Sequence, residues 1–452
     1  MSEFKSHENK LSLDAQWYRR FESVAAFQAY EYLDGDKDAR AAQKSAFLAG
    51  EVRNPTLDYP KIDSVKLTAI EEALVTLQYD IDLNETNDIV KQVYRWRINE
   101  KIGELRILAA AADGNMRQFK RYSEFVYGVP SPDIFAYTVK NLKDTTAQHL
   151  GAEDLIIAAA ARDLESVLPV GLSGESVGNL PSDADVAVVH TQTLAELSKL
   201  LPESSRLPDE KLAAQDIKTI FDQALLNLQA DGWIVVLDAS SKTGISVDQE
   251  KKTVKIPESR QAAFTKVRTL VAHEIGTHVA RRVNGERSRL QLLGLGLDRY
   301  ERGEEGVATA REQALSGPVS DFAGLEGHLA IGLAYGLDGQ PRDFRDVYNV
   351  LVRYHYLKAL VEGKQVDEAL SGAQTGAWNR AVRTFRGTDC ATPGICFTKD
   401  IIYREGNIGV WDVVKTNPAE LVRFSVGKYD PTNNRHIWVL DQLGITNEDL
   451  DE

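Results

Sequence analysis

Apolar residues recur every three or four positions along residues 1–160, a spacing that is typical of amphipathic helices. The longest such stretches are SLDAQWYRRFESVAAFQAYEYL and DIVKQVYRWRINEKIGELRILAAAA, and the proline-containing connector FLAGEVRNPTLDYPKID separates them. In GVPSPDIFAYTVKNLKD, a proline stands where the first turn of a helix tolerates it. The N-terminal part of the chain is therefore predicted to be helical.

The pattern changes after GLSGESVGNLPSDAD (171–185), whose glycine, serine and aspartate content predicts a linker or a long surface loop. A helix is predicted near 209–229. The apolar run WIVVLD (233–238) is typical of a buried strand, and GISVDQEKKTVKIPE predicts two short strands around a polar turn. Together these segments predict a small antiparallel sheet.

The next helix is predicted from Ser259, a candidate N-cap, to Asn284 and Gly285, candidate C-cap residues. The helical spacing resumes from about residue 301. Loops are predicted between the later helices, at 316–324, 336–343 and 387–397. The predicted fold class is α+β and predominantly α-helical, with the small antiparallel sheet directly before the Ser259 helix.

The charge of the chain narrows the classes of partner. Of its 452 residues, 67 are acidic and 53 are basic, and the formal net charge is -14. A general nucleic-acid-binding protein usually has the opposite sign, and an anionic membrane surface would repel this chain. Neither nucleic acid nor membrane is expected as a partner, and the oligomeric state is left open.

Two further features favour a soluble cytoplasmic protein. The first residues, MSEFKSHENKLSLDAQ, lack the apolar core of a signal peptide, and no apolar run reaches the roughly 18 residues that a spanning helix needs. The two cysteines, Cys390 and Cys396, are too few for a disulfide framework. Free thiols are expected, and a single bridge between the two is the alternative.

The segment TLVAHEIGTHVARRVNG (269–285) contains candidate metal ligands. His273, Glu274 and His278 nearly match the His-Glu-x-x-His signature of zinc peptidases, but the histidines are five residues apart instead of four. On an ideal helix this spacing turns the two side chains about 140° apart. A π-bulge that absorbs one residue would restore a common direction, and Gly276 can accept the unusual backbone. We therefore predict a local helix distortion between His273 and His278, the alternative being ordinary polar residues on a regular helix.

Glu274 follows the first histidine, where it can act as a general base toward water without ligating the ion. A third ligand must come from elsewhere, and YERGEEGVATAREQAL (300–315) offers Glu301, Glu304 and Glu305. Consecutive helical residues point about 100° apart, so Glu304 and Glu305 cannot both face one ion. Acidic residues are also common in the first turn of a helix, and the spacing does not choose between the two glutamates.

The order of these segments resembles a known family. HEIGTH…NG followed by EEGVA resembles the bacterial QEGLA-motif proteins, which are related to the microtubule-associated tyrosine carboxypeptidases of animals. FLAGEVRNPTLDYP, GLAYGLDGQPRDF, AVRTFRGTD and FTKDIIYREG resemble further blocks of the family, and the resemblance covers about residues 45–410. It implies a zincin-like zinc metallopeptidase with a His-Glu-x-x-x-His helix. We divide the chain into a helical N-terminal region, 1–185, and a zincin-like catalytic region, 186–452.

The resemblance also implies residue roles. His273 and His278 fall on the two histidine ligands of zinc, and Glu274 falls on the catalytic glutamate. The acid of the family motif directly precedes a glycine, and here Glu305 precedes Gly306, so Glu305 is the implied third ligand. The usual Gln-Glu-Gly-Leu-Ala reads Glu-Glu-Gly-Val-Ala in this chain, which places a second carboxylate beside the implied ligand.

A carboxypeptidase must recognise a free C-terminal carboxylate, which a planar guanidinium can bind through two hydrogen bonds. Arg386 and Lys399 lie in blocks that match the family and are the predicted substrate-binding cations. Tyr403 is a predicted hydrogen-bond donor to the substrate or to an oxyanion. The alternatives for these roles are Arg281, Arg302, Arg404 and Tyr300.

The implied substrate is the C-terminus of a peptide or protein, and the implied reaction releases its last residue, with Tyr or Phe as the expected identity. The animal enzymes act on acidic tubulin tails, and the net charge of -14 argues against that partner here. The alternatives are a zinc hydrolase of another amide or ester, an endopeptidase, and a metal-binding regulator without activity. Glu274 argues against the regulator, because a structural metal site needs no free glutamate.

Overall fold

The computed structural model describes residues 12–172, 177–202, 206–239 and 244–446, and helices make up 65% of the structure. The prediction of a mainly helical chain is therefore confirmed. The helices before the first strand are α1 (Ala15–Ala25), α2 (Ala29–Tyr32), α3 (Lys37–Leu48), α4 (Ser64–Asn84), α5 (Asp88–Ala112), α6 (Met116–Tyr127), α7 (Pro132–Ala147), α8 (Leu155–Val167) and α9 (Asp183–Leu200).

The later helices surround the histidine segment and continue to the C-terminal part of the chain. They are α10 (Ala214–Asn227), α11 (Phe264–His273), α12 (Ala280–Arg287), α13 (Leu292–Leu295), α14 (Glu301–Ser316), α15 (Leu325–Tyr335), α16 (Phe344–Val361), α17 (Val366–Phe385), α18 (Ile401–Thr416) and α19 (Asn434–Leu443). Short 3₁₀ turns occupy Thr398–Asp400 and Pro418–Arg423. No helix in the described part of the chain is both long enough and apolar enough to cross a membrane.

Polar residues start many of the N-terminal helices, as their sequences suggest. The carboxylate of Asp63 accepts hydrogen bonds from the first amides of α4, and Asn87 does the same for α5. Ser131 caps α7, whose first residue is Pro132, so the predicted proline-started helix is confirmed. Of the loop predicted at 171–185, residues 173–176 lie outside the described residues, and α9 already begins at Asp183.

The strands form two small sheets. Strands β1 (Lys211–Ala213) and β5 (Gln261–Ala263) pair antiparallel. The other sheet has the order β2 (Ile234–Asp238), β4 (Thr253–Pro257), β3 (Ser246–Asp248), with β3 antiparallel to β4 but β2 parallel to it. The prediction of a purely antiparallel sheet is therefore wrong for this sheet. Strand β3 occupies one side of β4 as its hairpin partner, so β2 pairs with the other side. Strand β2 runs in the same direction as β4.

The predicted limits of the histidine-bearing helix are wrong at both ends. Ser259 is not its N-cap, because residues 261–263 extend to pair with β1 and α11 starts only at Phe264. At the other end, Gly285 lies inside α12 rather than after it. A Cβ at Gly285 would collide with the backbone of Leu293 and Gly294, so this glycine permits close packing against α13.

Buried apolar side chains from both ends of the chain pack together. One hydrophobic core joins α1, α4 and α5 to Leu290–Leu297 and α19, and a second joins α7 and α8 to α15, α16 and α17. Both cores therefore draw residues from before and after position 185. The division into residues 1–185 and 186–452 stays a prediction.

Helices α14 and α18 pack so closely that their backbones touch. A Cβ at Gly306 would collide with the carbonyl of Gly406, and a Cβ at Gly406 would collide with the carbonyl of Arg302. Only glycine fits at either position without a shift of the helices. This contact fixes the separation of two helices that both contribute residues to the cleft described next.

Candidate metal centre and substrate cleft

The histidine-bearing segment changes helix type between its two histidines. Helix α11 ends at His273, residues Glu274–Val279 form a π-helical turn, and α12 follows from Ala280. Hydrogen bonds in a π turn join residues five apart, so residues with this spacing lie above one another. The imidazole centroids of His273 and His278 are 5.1 Å apart. The predicted distortion is confirmed, and it brings the two rings to the same side.

Gly276 lies within the π turn, as the sequence suggested, but the turn does not depend on a glycine there. Gly276 is not among the residues with positive φ. A Cβ there would lie 3.4 Å from Leu200 Cδ1 and 3.6 Å from the carbonyl of Val271, which are ordinary contacts. The π turn therefore does not need glycine at this position, and other contacts must hold it.

His273, Glu274 and His278 form a compact group of potential ligands. One ligand atom of each residue lies within 4.8 Å of the ligand atoms of the other two. Glu274 is 8% exposed, and burial raises the pKa of its carboxyl while the two histidines oppose that rise. A carboxylate with this tendency to hold a proton is suited to accept one from a reacting water.

We call His278 the inner histidine and His273 the outer histidine. A buried carboxylate orients the inner histidine. His278 Nδ1 lies 2.8 Å from Glu304 Oε1, and Lys428 Nζ lies 2.7 Å from the same oxygen. Burial alone would raise the pKa of Glu304, but Lys428 and His278 lower it to about 2. An ionised carboxylate only accepts hydrogen bonds, so Nδ1 must donate, which leaves Nε2 with a free lone pair. Metal-ligating histidines are commonly held in this way.

The outer histidine has a similar but looser partner. His273 Nδ1 lies 3.1 Å from Glu312 Oε2, but the approach departs from hydrogen-bond geometry, so we treat the contact as an ion pair. Burial alone would lower the pKa of His273, but Glu312, Glu274 and Glu305 raise it to about 9. Lys266 Nζ holds the other oxygen of Glu312 at 2.5 Å. The Nδ1 atom again faces a carboxylate, and Nε2 is left for another partner.

The two candidate third ligands differ in their surroundings. Glu304 is 4% exposed, and its Oε1 already meets His278 and Lys428. Glu305 is partly exposed on the cleft, and its charge acts on His273, Glu274 and Tyr403. Glu305 does not belong to the group of His273, Glu274 and His278, whose ligand atoms lie within 4.8 Å of one another. Its position on the cleft nevertheless leaves it freer than Glu304 to bind an ion.

A cleft of about 1160 Å³ lies over the histidines. One wall is the segment 26–34 with α2, and a second is the edge strand β3 with residues that follow it. The far wall is formed by α14, α17, α18 and the turn between the last two. The cleft is large enough for several residues of a peptide, because binding pockets for small ligands typically span about 300–1,000 Å³.

The predicted substrate-binding residues all line this cleft, but they are not equally available. Lys399 Nζ forms an ion pair with Glu301 Oε2, so its charge is already neutralised. Arg386 donates a long hydrogen bond to the carbonyl of Arg383, and no carboxylate pairs with it in the described part of the chain. Tyr403 faces the charge of Glu305, which together with burial raises the pKa of its phenol. Arg386 is therefore the cation best placed to receive a carboxylate.

The structure places most of the alternative residues outside this role. Arg281 is buried and donates to the carbonyls of Gly427 and Tyr429. Arg302 faces Asp430 and Glu405, and Arg404 is buried against Asp321. Neither arginine is among the residues of the cleft wall, whereas Tyr300 is. Three remaining histidines, each in contact with a carboxylate away from this group, are His328, His355 and His436.

A second acidic group lies in the same cleft. Glu31, Asp248 and Glu250 have carboxylate oxygens within 4.8 Å of one another. Lys255 Nζ lies 3.0 Å from Asp248, and Gln28 Nε2 lies 3.1 Å from Glu250. Burial and the two neighbouring carboxylates raise the pKa of Glu31. Lys255 and Gln28 already engage Asp248 and Glu250, two of the three carboxylates, and we assign no metal to this group.

The π turn and the two glutamates of α14 fall inside one matched segment. Residues 172–321 match the family model described as microtubule-associated tyrosine carboxypeptidase. This match confirms the resemblance to a family related to these carboxypeptidases. No curated protein and no solved structure gives a match. The family implies peptidase activity of the carboxypeptidase type on a peptide or protein.

The family motif did not reveal three residues that the structure places at the site. Glu312 faces His273, Lys428 holds Glu304, and Arg383 makes two hydrogen bonds to Asp400 in the wall of the cleft. Glu312 lies seven residues after Glu305 on the same helix, and this helical spacing could have indicated it. Nothing in the sequence indicates Lys428, which is brought in by a loop after the 3₁₀ turn that ends at Arg423.

The two cysteines bear out the sequence prediction of free thiols. Cys390 and Cys396 are both buried and unpaired with each other. Burial raises the pKa of each thiol to about 12. Thiols in this state are poor nucleophiles, and neither cysteine is among the residues that line the cleft.

Proposed function

We propose that this protein is a zinc-dependent carboxypeptidase that removes the C-terminal residue of a peptide or protein. The observation that carries the proposal is the matched orientation of two histidines on the π turn. Each places Nδ1 against a carboxylate of α14, at 2.8 Å for His278 and 3.1 Å for His273. That arrangement leaves both Nε2 atoms for one ion, as metal-ligating histidines require.

The donor set fits zinc. His273 and His278 would supply imidazole nitrogens and Glu305 a carboxylate oxygen, a combination typical of catalytic zinc with one position left open. Glu305 is preferred over Glu304 because Lys428 and His278 already engage Glu304. When bound, zinc supplies Lewis acidity that polarises a carbonyl and favours attack by water at neutral pH.

Glu274 performs the proton transfers. Its carboxylate removes a proton from the water whose oxygen attacks the carbonyl carbon of the last peptide bond. The C–N bond then breaks, and Glu274 returns the proton to the leaving amine nitrogen, so the carboxylate is restored. The raised pKa that burial gives Glu274 supports this role, since a stronger base holds the proton between the two steps.

Recognition of the substrate end falls to the far wall of the cleft. Arg386 would bind the C-terminal carboxylate, and its guanidinium can do so through two hydrogen bonds. Tyr403 would donate a hydrogen bond to the substrate, and Lys399 would contribute positive charge once its pairing with Glu301 loosens. Tyr30, Tyr32, Tyr300 and Tyr403 line the cleft, and such rings favour an aromatic last residue such as Tyr or Phe.

The rest of the peptide would extend along β3. Among the described residues this strand pairs only with β4, and its own residues line the cleft. An extended peptide can add to such an edge through backbone hydrogen bonds, which bind without selecting side chains. The same strand would serve an endopeptidase equally well, so the free C-terminus is what separates the two activities.

The test uses purified protein loaded with zinc and peptides that end in Tyr or Phe, each with a free or an amidated C-terminus. We expect release of the last residue from the free peptides and no cleavage of the amidated ones. Internal cleavage of both forms would indicate an endopeptidase. Binding of one zinc without cleavage of any peptide would favour a metal-binding regulator or another hydrolase. Loss of zinc in both His273→Ala and Glu305→Ala would support the ligand assignment.

Arg386 supplies the matched variants for substrate recognition. Arg386→Met should raise KM for free peptides with a smaller change in kcat, because the guanidinium binds an end of the substrate that does not react. Arg386→Lys should recover only part of this loss, since an ammonium lacks the planar pair of donors. An unchanged KM in Arg386→Met would reassign the carboxylate to another residue.

A further inference from the structure

A buried arginine holds the backbone of the π turn. Arg311 on α14 is 3% exposed. Its Nη1 donates to the carbonyl of Gly276 at 2.8 Å and lies 3.1 Å from Thr277 Oγ1. Both contacted residues stand between the histidines. The arginine therefore touches the part of the turn whose shape determines where the two imidazoles point.

Thr277 shows that these contacts belong to the π arrangement. Thr138 and Thr193, which stand in regular helices of this protein, bond to the carbonyl four residues back. Thr277 instead donates to the carbonyl of Ala272, five residues back, at 3.0 Å. Arg311 Nη1 thus supports the π turn twice, directly at Gly276 and through the threonine hydroxyl. π turns are rare and short, so specific contacts such as these are needed to hold one.

The far side of the guanidinium is fixed as well. Arg311 Nη2 lies 2.7 Å from Glu196 Oε2 on α9 and donates to Ser425 Oγ at 2.8 Å. Ser425 Oγ in turn donates to Glu196 Oε1 at 3.0 Å. A buried charge that is paired and hydrogen-bonded on both sides cannot move without losing those partners. The arginine therefore connects three separate elements to the π turn through one rigid group.

We propose that Arg311 is a positioning residue that locks the π turn and thereby keeps His273 and His278 on one face. The same helix carries Glu304 and Glu312, so the histidines are tied to the helix whose carboxylates orient them. The effect on metal binding rests on the proposed function. The effect on the turn does not, because it can be measured in protein without zinc.

The experiment compares Arg311→Met with Arg404→Met, a matched control. Arg404 is also fully buried, donates to the carbonyl of Phe322 and pairs with Asp321, but has no contact with the π turn. Hydrogen exchange of residues 272–282 is measured in zinc-free protein. Zinc affinity is measured by competition with a chelating dye, and the geometry of the site by the absorption spectrum of the cobalt-substituted protein.

We expect faster exchange over residues 272–282 in Arg311→Met, an altered cobalt spectrum, and a zinc affinity lower by about 10- to 100-fold. Arg404→Met should lower Tm while exchange of this segment and zinc affinity stay near wild type. Wild-type exchange and affinity in Arg311→Met would overturn the proposal, as would equal effects in both variants. Arg311→Lys, which keeps the charge but lacks the fork of donors, should lie in between.

If Arg311→Met does not fold, hydrogen exchange in Glu196→Gln tests whether Arg311 locks the turn. This change keeps the arginine and removes its charged anchor, so exchange of residues 272–282 should rise in the same direction by a smaller amount. No change in exchange would reject the locking role. If the wild-type protein binds no zinc, the proposed function fails, and the exchange comparison alone then decides whether Arg311 locks the turn.

Discussion

His278 lies in the π turn and His273 directly precedes it, but the surroundings of the two imidazoles differ. The partner of His278 is Glu304, whose side chain is 5% exposed and is neutralised by Lys428, 1% exposed. The partner of His273 is Glu312, 30% exposed, which is neutralised by Lys266, 46% exposed. The first contact is a 2.8 Å hydrogen bond, whereas the second is a misaligned contact of 3.1 Å.

This difference indicates that the two histidines are held by different means. A buried carboxylate fixes the ring of His278, because Lys428 holds Glu304 in place and moving the ring would break a buried hydrogen bond to it. A partly exposed and misaligned ion pair contributes less, so Glu312 orients His273 more weakly than Glu304 orients His278. The direction of His273 must then depend mainly on the π turn itself, which makes the shape of the backbone more important on that side.

The largest effect on activity is expected at Glu274, which belongs to neither of the two histidine–carboxylate pairs. Glu274→Gln removes the proton acceptor and should lower kcat/KM by about 10²- to 10⁴-fold. Zinc content should stay at the wild-type value, because both histidine–carboxylate pairs remain. Peptide cleavage and metal analysis of the same preparation test this. Substantial cleavage by the variant would mean that another group accepts the proton.

The next largest effect is expected at the inner pair. Glu304→Gln removes the charge that orients His278 and should weaken zinc binding by about 10- to 100-fold. Glu301→Gln is the control, since Glu301 stands on the same helix but pairs with Lys399 instead of a histidine. Chelator competition measures both variants. Equal zinc affinity in the two would show that Glu304 has no orienting role.

A smaller effect is expected at the outer pair. Glu312→Gln should weaken zinc binding by less than about tenfold, because the carboxylate is partly exposed and misaligned. Lys266→Met leaves Glu312 in place and should change the affinity still less. A loss at Glu312 as large as that at Glu304 would contradict the contrast between the histidines.

The smallest effect concerns acid stability of zinc-free protein. The ordinary pKa of a glutamate carboxyl is 4.5. Contacts with His273 lower the pKa of Glu312 to about 2. Lys428 and His278 lower the pKa of Glu304 to about 2 as well, although burial opposes this change. A carboxyl with a lowered folded pKa contributes stability above pH 4.5 that is lost as the pH falls toward 2.

Denaturant unfolding between pH 6 and pH 2 measures that contribution. The free energy of unfolding should fall less steeply toward pH 2 in Glu304→Gln than in Glu312→Gln, because solvent screens the pair of Glu312 with His273. A steeper decline in Glu304→Gln than in the wild type would reverse the sign of this expectation.

The sequence predicted those parts of the site that depend on local spacing. The five-residue spacing of His273 and His278 required a π turn if both rings were to meet one ion, and the turn is present. The strands over 233–238 and 244–258 were also recognised from their apolar pattern, with bounds close to those of β2, β3 and β4. Local hydrogen bonding and side-chain direction determine features of this kind, so a short window contains the needed information.

Features that depend on distant packing were missed. Strand β5 forms because β1 offers a partner about 50 residues earlier, and the N-cap predicted at Ser259 ignored that pairing. The ion pair of Lys399 with Glu301, which packing of α14 brings about, was not foreseen, and the role of Lys399 in substrate binding stays a prediction. The sequence drew attention to Gly276 within the π turn but did not indicate Arg311, which reaches the turn from another helix. No local pattern contains these contacts.

The contact between Gly306 and Gly406 has a consequence for how the specificity of this cleft can change. Helix α14 presents Glu305 and helix α18 presents Tyr403, and their backbones already touch at the two glycines. The helices therefore cannot move closer, and any larger side chain at the contact would push α14 and α18 apart. Under the proposed function, new substrate preferences would then arise through replacement of side chains along the far wall, and the distance from the scissile bond to that wall would stay constant.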